Sequence, residues 1–410
     1  MNTKSSHTVR RVELRQVCRL ISSGGTPSRK RPDFFQASSG HPWVKSQELL
    51  DGSIWSTAEE ISDLGLANSS AKYYPSETVL IAMYGANVGQ LGYLRIASTV
   101  NQAICALCVD PLLADSRYVF YALMQERREL VSQAAGAAQQ NLNQDLIRNF
   151  QIPLPQLPTQ QKIAAILAAY DDLIENNNRR IKLLEEMAQR IYREWFVDFR
   201  YPGHEVVPLV DSELGPIPEG WEVANIGTVA KNFDRLRKPL SGMERAFRSG
   251  VYPYFGAARI FDYIDDFIFD GTYLLVAEDG SVVTSDGRPV LQYVKGKFWA
   301  NNHTHVLQGD RISTEYLYLL LASIKVTGYV TGAAQPKITQ ANLNRIPCPV
   351  PTSQIALAFD EIVKPILAQV TNVASQIGIL GSTRDLLLPR LISGEIDVAE
   401  LNIVLPEAAA

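Results

Sequence analysis

One stretch of the sequence occurs twice, and this repetition constrains the fold more than any other feature. Residues 136–139 read GAAQ, and residues 332–335 repeat them 196 positions later. After each copy come an aliphatic residue, a glutamine, a run of alternating prolines and the pattern Pro-Thr-x-Gln, which begins at Pro158 and at Pro351. Matches in the same order are typical of an internal duplication. The sequence therefore predicts two copies of one unit, each roughly 200 residues long.

Both copies carry the alternation of short strands and helices that is typical of a mixed α/β fold. Runs of β-branched and aliphatic residues at 78–83 and 272–277 predict equivalent strands. Helices are expected near 118–133 and 314–325. The proline runs predict extended chain after these helices. The predicted fold class is α/β (α+β), with two duplicated mixed α/β domains.

Each copy ends in a segment whose apolar residues recur at steps of three and four, which indicates an amphipathic helix. Residues 160–196 contain neither Gly nor Pro, and Thr159 is the predicted N-cap. The apolar positions of this helix are Ile163, Ile166, Tyr170, Leu173, Leu184, Ala188, Ile191 and Trp195. Those of the second helix are Ile355, Phe359, Ile362, Ile366, Val373, Ile377, Leu380, Leu387 and Leu391.

The two long helices are expected to pair with each other as an antiparallel coiled coil. Each seam contains one interval of eleven residues, so the irregularities of the two helices match. The alternative is that each helix packs only on its own domain. Pro365 is expected to kink the second helix, and Gly378 and Gly381 are expected to weaken it.

Composition places the chain among soluble globular proteins. Its 410 residues are 46% hydrophobic, which favours two to four domains with real cores. Charges interrupt every apolar run before the roughly 18 residues that a membrane span needs, and the N-terminus lacks the apolar core of a signal peptide. Cys105 and Cys108 form one CxxC, whose side chains would face opposite sides of a strand. Buried thiols are therefore expected rather than a zinc or redox site.

Four stretches, spread over nearly the whole chain, carry a resemblance to a known family. They are IPLP with QKIA at 152–164, WFVDF at 195–199, LLPRLISGEI at 387–396 and ISSGGTPS at 21–28. Together with the duplication, they resemble the specificity subunit of Type I restriction-modification systems, the HsdS family.

The resemblance implies a prokaryotic, cytoplasmic protein with two target-recognition domains and two long helices. Each domain would read one half of an asymmetric, bipartite target in double-stranded DNA. The helices would set the spacer and dock two methyltransferase subunits and, through them, restriction and translocation subunits. The expected segments are 1–155 and 201–350 for target recognition, 156–200 for the central helix, 351–400 for the C-terminal helix and 401–410 for a flexible tail.

The sequence lacks the short motifs that the chemistry of such a complex requires. It contains no Asn/Asp-Pro-Pro-aromatic motif for a flipped adenine, and neither GxGxxG nor GxxxxGK[ST]. We therefore predict a non-catalytic chain without a cofactor of its own. S-adenosylmethionine would be bound by the methyltransferase subunits, and ATP and magnesium by the restriction subunit.

His303 and His305 have a spacing that suits a metal site, because alternation along a strand would place both imidazoles on one face. A third ligand is missing from the neighbouring sequence, since no carboxylate or cysteine flanks the pair closely. We interpret the pair as part of a polar surface loop and predict no metal.

Residues that could read DNA are expected at corresponding positions of the two copies where the side chains differ. The formal net charge is −4, but Lys and Arg cluster near 10–31 and 231–248, as phosphate binding requires. Bidentate readout uses Arg or Lys for guanine and Asn or Gln for adenine. The candidates in the first copy are Ser28, Arg29, Lys30, Tyr84, Asn87, Gln102, Gln139, Gln140, Asn141 and Asn143. Those in the second are Arg235, Arg237, Lys238, Tyr254, Arg259, Asn301, Asn302, His303, Gln335 and Lys337.

Two other classes of function are weighed against DNA recognition. A protein-interaction scaffold could use the same two domains and helices, but repeated loops rich in Gln, Asn and basic residues favour DNA. A stand-alone methyltransferase or nuclease would need motifs that the sequence lacks.

Overall fold

The computed structural model describes residues 10–36, 40–134, 141–332 and 335–404, and the chain forms two compact units. Unit 1 comprises Met1–Glu175 and Ile377–Ala410, and unit 2 comprises Asn176–Gln376. The division falls inside both long helices, so each unit holds one part of each helix. The division at 155, 200 and 350 stays a prediction.

Unit 1 contains three groups of paired strands and three short or medium helices before its long helix. Its strands are β1 (Arg11–Glu13), β2 (Cys18–Ser23), β3 (Phe35–Gln36), β4 (His41–Val44), β5 (Gly52–Ile54), β6 (Glu60–Ile61), β7 (Tyr73–Tyr74), β8 (Val79–Ala82), β9 (Leu91–Leu94), β10 (Ser98–Val100), β11 (Ile104–Val109) and β12 (Gln151–Pro153). Its helices are α1 (Asp63–Ala67), α2 (Ser116–Ser132), α3 (Gln144–Asn149) and the first part of α4 (Leu157–Phe196). One sheet has the order β2-β11-β8-β9-β5, another has the order β3-β6-β4-β10-β7, and β1 pairs with β12.

Unit 2 repeats much of this arrangement. Its strands are β13 (Leu209–Val210), β14 (Ile217–Pro218), β15 (Glu222–Asn225), β16 (Ala230–Asn232), β17 (Ser249–Phe255), β18 (Ile260–Ile264), β19 (Phe269–Ala277), β20 (Leu291–Ala300), β21 (Thr304–Gly309) and β22 (Pro347–Val350). Its helices are α5 (Ile226–Val229), α6 (Gly242–Phe247), α7 (Thr314–Ser323), α8 (Gln340–Asn344) and the first part of α9 (Ser353–Ile392). The main sheet has the order β16-β21-β19-β20-β17-β18, while β15 pairs with β22 and β13 with β14.

The topology confirms the predicted duplication. In unit 1, β11 lies between β2 and β8, and in unit 2, β21 lies between β16 and β19, with antiparallel pairing throughout. Antiparallel pairing of β1 with β12 matches that of β15 with β22. A buried tyrosine on the following helix repeats one contact: the hydroxyl of Tyr118 donates to the carbonyl of Pro153 at 2.9 Å, and that of Tyr316 to Pro349 at 2.8 Å. The two proline runs are thus tied to equivalent helices.

Alternation along the central strands explains why both faces of these sheets are covered. On β8, Val79 and Ile81 join the cluster that contains α2, whereas Leu80 and Ala82 join a second cluster on the opposite face. On β19, Leu274 likewise faces the core that contains α7. The expected opposite orientation of the two CxxC thiols is confirmed, because Cys105 packs in the first cluster of unit 1 and Cys108 against the second.

The two long helices have the same length. Both contain forty residues. Their buried positions match at an offset of 196, as Ile163 and Leu167 correspond to Phe359 and Val363, although the Pro-Thr-x-Gln patterns before them are 193 positions apart. The prediction of Thr159 as N-cap is wrong, since α4 already begins at Leu157; a proline in the first turn costs the helix no hydrogen bond. The α9 helix continues without a break through Pro365, Gly378 and Gly381.

In each unit, one part of α4 packs against one part of α9 in the opposite direction. In unit 1, Ile163 and Leu167 near the start of α4 share a core with Leu388 and Ile392 near the end of α9. In unit 2, the rings of Phe196 and Phe359 are 4.7 Å apart. The antiparallel pairing of the helices is therefore confirmed.

Two positions of the predicted seam are wrong. Leu173 is 50% exposed and Ile362 is 43% exposed. On α4, the face towards α9 passes from Leu167 to Asp171, as the ion pair of Asp171 with Arg384 shows. Leu173 then lies roughly 200° around the helix from Asp171. The hydrophobic pattern alone favoured leucine over the aspartate.

Candidate nucleic-acid interface

In unit 2, main-chain hydrogen bonds bring several predicted site residues together beyond the ends of β19 and β21. The amide of Glu278, which follows β19, donates to the carbonyl of His303 at 2.9 Å. The carbonyl of Glu278 accepts from the amide of Ile338 at 2.9 Å, and the amide of Gly280 donates to the carbonyl of Pro336 at 3.1 Å. These bonds join the loop at 301–303 to the loop at 335–338. We call this set of loops the unit 2 cluster.

Arg237 is a largely buried residue that contacts two segments of the unit 2 cluster. Its guanidinium lies 2.7 Å from a carboxylate oxygen of Glu278, and it donates to the carbonyl of Thr304 at 2.7 Å. A further contact of 3.4 Å reaches Asp234. Only 13% of the Arg237 side chain is exposed. The donors of Arg237 are already bound to groups within the unit, and its contact with DNA stays a prediction.

Lys337 joins the same network from the surface. Its amine lies 3.0 Å from the second carboxylate oxygen of Glu278, and the side chain remains partly exposed. Burial raises the pKa of Glu278, but the hydrogen bonds from Arg237 and Lys337 outweigh burial and bring the pKa below its ordinary value. Glu278 is therefore an ionised carboxylate that links two cations from different loops.

The two histidines have different environments, contrary to the interpretation as one surface loop. His303 lies on an exposed turn, where its Nδ1 is 2.7 Å from Asp279. His305 lies on β21 with 1% of its side chain exposed; its Nδ1 is 2.6 Å from Asp234 and its Nε2 is 2.8 Å from the carbonyl oxygen of Ile338. The strand begins at Thr304, so the expected alternation does not include His303.

The ring of His305 lies between two acceptors. Burial raises the pKa of Asp234, but the hydrogen bond and the charge of His305 bring it below the ordinary value, so Asp234 is a carboxylate. A carboxylate and a backbone carbonyl can only accept. Each nitrogen of His305 therefore faces an acceptor, and these two contacts fix the orientation of the ring.

Asp234, Glu278 and His305 place ligand atoms within 4.8 Å of one another, a separation that would suit a metal ion. The charges already present argue for another description. Arg237 and Lys337 already contact the carboxylates, and both ring nitrogens of His305 face hydrogen-bond acceptors. A histidine nitrogen that binds a metal ion must instead present a free lone pair. The arrangement is therefore an ion-pair network.

In unit 1, the equivalent loops are joined by two of the same main-chain bonds. The amide of Met83 donates to the carbonyl of Ala103 at 2.8 Å, and the carbonyl of Met83 accepts from the amide of Leu142 at 2.7 Å. Met83 thus occupies the place of Glu278, and it is a buried apolar residue. We call these loops the unit 1 cluster. The backbone frame is shared, but the charged network belongs to unit 2.

Asn301 is a turn residue that both copies need. Its side-chain oxygen accepts from the amide of His303 at 2.9 Å, as the side-chain oxygen of Asn101 accepts from the amide of Ala103 at 3.1 Å. Asn301 is buried. Its side chain is thus already used within the turn, and its contact with a base stays a prediction. The contact of Tyr254 with a base likewise stays a prediction; this residue is buried and accepts from the amide of Leu240 at 2.9 Å.

The loop at 24–31 contacts the unit 1 cluster through Thr26 and Gln102, and we include it in that cluster because it carries exposed cations. The guanidinium of Arg29 is 2.6 Å from Glu59 and 4.2 Å from the ring centre of Phe35, while 53% of the side chain is exposed. Ser28 and Lys30 beside it are also exposed. Gln102 hydrogen-bonds to Thr26 on the same loop. These residues can reach a ligand without disruption of the core.

The remaining candidates vary in their accessibility. Exposed residues are Asn141, Asn143, Arg235, Lys238, Arg259, Asn302 and Gln335. Asn143 also caps α3 by accepting from the amide of Leu146. Tyr84 and Asn87 are partly buried, and Asn87 donates to the carbonyl of Ser46. Gln139 and Gln140 lie outside the described residues.

The sequence interpretation missed the acids of both clusters. Glu59 binds Arg29 and also Lys45, whose amine is 2.6 Å away. The hydrogen bonds from these two cations bring the pKa of Glu59 below its ordinary value. The presence of a glutamate directly after the shared strand of unit 2, where unit 1 has methionine, was the one local signal for the network.

Comparison with known proteins identifies the family. The model of the Type I restriction modification DNA specificity domain matches residues 7–186 and 218–377, one match for each copy. The chain therefore belongs to the family of Type I restriction-modification specificity subunits.

Individual relatives agree with this assignment. The chain is 24% identical over 405 residues to the Type I restriction enzyme MjaIX specificity subunit of Methanocaldococcus jannaschii, which covers 93% of this chain and 92% of the relative. It is 36% identical over 166 residues to a putative type I restriction enzyme specificity subunit of Haemophilus influenzae, with coverage of 40% and 41%. The crystal structure of the S subunit from M. genitalium has the same fold, with a TM-score of 0.61, 15% identity and coverage of 95% and 98%.

Among the residues that the structure describes, even the forty-residue helices are too polar to cross a membrane.

Proposed function

We propose that the chain directs a Type I restriction-modification complex to a bipartite, asymmetric target in double-stranded DNA, and that each unit reads one half. The observation that carries this proposal is the pair of loop clusters. Both clusters have the same backbone frame and present different side chains, such as Arg29 and Lys30 in one and Asn302 and His303 in the other. Arg and Lys suit guanine and phosphate, and Asn suits adenine.

The partners that we propose are two methyltransferase subunits and, through them, the restriction and translocation subunits. Exposed apolar side chains on the long helices support such docking, since they are costly to leave in water. They are Leu173, Leu183 and Met187 on α4 and Leu357, Ile362, Ile379 and Leu386 on α9. In this proposal the methyltransferase subunits bind S-adenosylmethionine, the restriction subunit binds ATP and magnesium, and the chain acts in the prokaryotic cytoplasm without catalysis of its own.

The direct test is to reconstitute the chain with its methyltransferase partner and to sequence the methylated adenines. We expect two short half-sites separated by a fixed spacer. Replacement of Asn302 and His303 by Ala should change one half-site, and replacement of Ser28 and Lys30 by Ala should change the other. The chain without its partner should methylate nothing.

A protein-interaction scaffold predicts a different outcome. Binding of the reconstituted complex to a random duplex must weaken steeply with salt if phosphates are contacted. Binding that does not respond to salt, together with the absence of a methylated motif, would favour the scaffold.

The role of the helices in the spacer has a separate test. Four residues inserted after Asn177 and four inserted after Ile377 keep the helix pairs on both sides of the insertions in register. Each insertion lengthens its helix by about 6 Å and turns it by about 40° beyond one turn. We expect the spacer to grow by about one or two base pairs, at about 3.4 Å each, with both half-sites unchanged. Changed half-sites with an unchanged spacer would contradict this role.

A further inference from the structure

The two places where the long helices pack together are related by the 196-residue repeat, but one of them contains charges. In unit 1, Asp171 on α4 contacts Arg384 on α9 at 2.5 Å. The equivalents of these two positions are Leu367 on α9 and Ala188 on α4. Both are fully buried in the core of unit 2. An ion pair in one unit therefore corresponds to an apolar pair in the other.

The ion pair of unit 1 is embedded in the structure. Only 23% of Asp171 and 20% of Arg384 are exposed. The hydroxyl of the buried Tyr121 on α2 donates to the second oxygen of Asp171 at 2.6 Å. Burial lowers the pKa of Arg384, but the hydrogen bond and charge of Asp171 outweigh it, and the pKa is above its ordinary value. In unit 2, Leu319 on α7 is the equivalent of Tyr121 on α2, and its side chain is also buried.

The repeat allows other pairings of the same helices, because α4 and α9 have equal length and equivalent apolar positions. If α4 paired with α4 of a second copy in the same register, Asp171 would face Ala188. If α9 paired with a second α9, Arg384 would face Leu367. A pair of α4 helices would bury two carboxylates without the arginine, which strongly destabilises a packed interface. A pair of α9 helices would leave each Arg384 with only the exposed Asp385 as a counter-charge.

We propose that the Asp171–Arg384 pair selects the partner of each long helix: it favours α4 with α9 and disfavours like helices from two copies of the chain. A single polar pair in a helix interface commonly fixes partner and register at some cost in stability. The equivalent residues of unit 2, Leu367 and Ala188, are buried and uncharged. They would therefore allow pairing of unlike or like helices. Selection therefore comes from unit 1.

The test starts from the full chain, folded and then cut. A protease site is inserted at the exposed Pro202–Gly203 turn, and the cut chain is kept under mild conditions that allow the two pieces to exchange. Native mass spectrometry then counts pairs of unlike and like pieces. For the wild type we expect unlike pairs almost alone.

Two variants distinguish charge from packing. In Tyr121→Phe/Asp171→Leu/Arg384→Ala, which imitates unit 2, like pairs should increase at least about tenfold relative to the wild type. In the charge-reversed variant Asp171→Arg/Arg384→Asp, unlike pairs should again dominate. The first piece of the wild type should also pair poorly with the second piece of the reversed variant. Both would then carry an aspartate at this contact, and the opposite combination would bring two arginines together. An apolar variant that still forms unlike pairs as selectively as the wild type would overturn the proposal.

The uncut chain provides a second measurement that needs no exchange. Arg384→Ala and Asp171→Ala should each lower the melting temperature, and the charge-reversed variant should recover most of that loss. If the reversed variant melts as low as the single variants, the pair does not act through its charges and the proposal fails.

Discussion

The unit 1 and unit 2 clusters have two main-chain bonds in common but opposite chemistry at the centre. Met83 fills this place in unit 1 with an apolar side chain, whereas Glu278 fills it in unit 2 with a carboxylate that binds Arg237 and Lys337. The difference shows that the frame of the loops does not depend on the residue at its centre. It also shows that a cation near the exposed loops of a cluster can be a structural residue.

The largest difference between the clusters is expected from removal of one arginine in each. Arg237→Ala removes the contact of 2.7 Å to the largely buried carboxylate of Glu278 and the longer contact to Asp234, and it should lower the free energy of unfolding by about 3 kcal/mol. Arg29→Ala removes an exposed pair and should lower it by less than about 1 kcal/mol. Chemical denaturation of both variants measures the two losses. Equal losses would mean that the unit 2 network is no more important for stability than a surface contact.

A smaller and equal effect is expected where the two units are alike. Tyr118→Phe and Tyr316→Phe each remove one hydroxyl and leave the carbonyl of Pro153 or Pro349 without its donor. Each change should lower the free energy of unfolding by about 1 kcal/mol. Thermal denaturation of the two variants, with Tyr73→Phe at an exposed position as control, tests the equivalence. Losses that differ severalfold would show that the repeated contact has different roles.

Acid should loosen the unit 2 cluster more than the unit 1 cluster. The pKa values of Asp234 and Glu278 are lowered in the folded chain. Their contribution is complete above the unfolded values of about 3.9 and 4.3, and it is lost as the pH falls through the lower folded values. Glu59 in unit 1 acts in the same direction, but it is more exposed and therefore better screened.

Hydrogen exchange, corrected for the intrinsic effect of pH, can follow the amides of Glu278 and Met83 in the two clusters. We expect the protection of Glu278 to fall first on acidification. In Glu278→Gln the protection should be lower at neutral pH and should change less with acid. Identical acid profiles for the two amides would contradict the difference between the clusters.

The smallest effect on stability is expected at Lys30. Its side chain is exposed, so Lys30→Ala should leave the melting temperature unchanged. If it contacts a phosphate, the slope of log affinity against log salt for the reconstituted complex should decrease by about one. Lys182→Ala, which removes an exposed cation from α4, should leave the slope unchanged. An unaltered slope for Lys30→Ala would remove this residue from the interface.

Much of the architecture could be predicted because it depends on local or repeated patterns. The helices α2 and α7 follow from their apolar periodicity, and the duplication follows from GAAQ and the proline runs. The seam of α4 was predicted less well, since Leu173 fits the apolar pattern but Asp171 faces α9. A buried aspartate is compatible with a seam only when a distant arginine neutralises it.

The site was less predictable for the same physical reason. Arg237 and Glu278 are 41 positions apart, and Arg237 and Thr304 are 67 apart. No local pattern distinguishes an arginine that is buried by such contacts from one that is free to bind DNA. By contrast, Arg29 and Lys30 are consecutive cations after a Gly-rich stretch, and such residues rarely pack inside a core. Both are exposed, and their contact with DNA stays a prediction.

The main-chain frame of the two clusters has a consequence for mutational tolerance. Because amide and carbonyl groups hold the loops at Met83 and Glu278, the exposed side chains on those loops contribute little to the free energy of the fold. Positions such as Asn302 and Gln335 can therefore change without loss of a folded chain. New combinations of exposed side chains can accumulate on the loops of both clusters by single substitutions. Arg237 and the buried acids that it contacts have to change together.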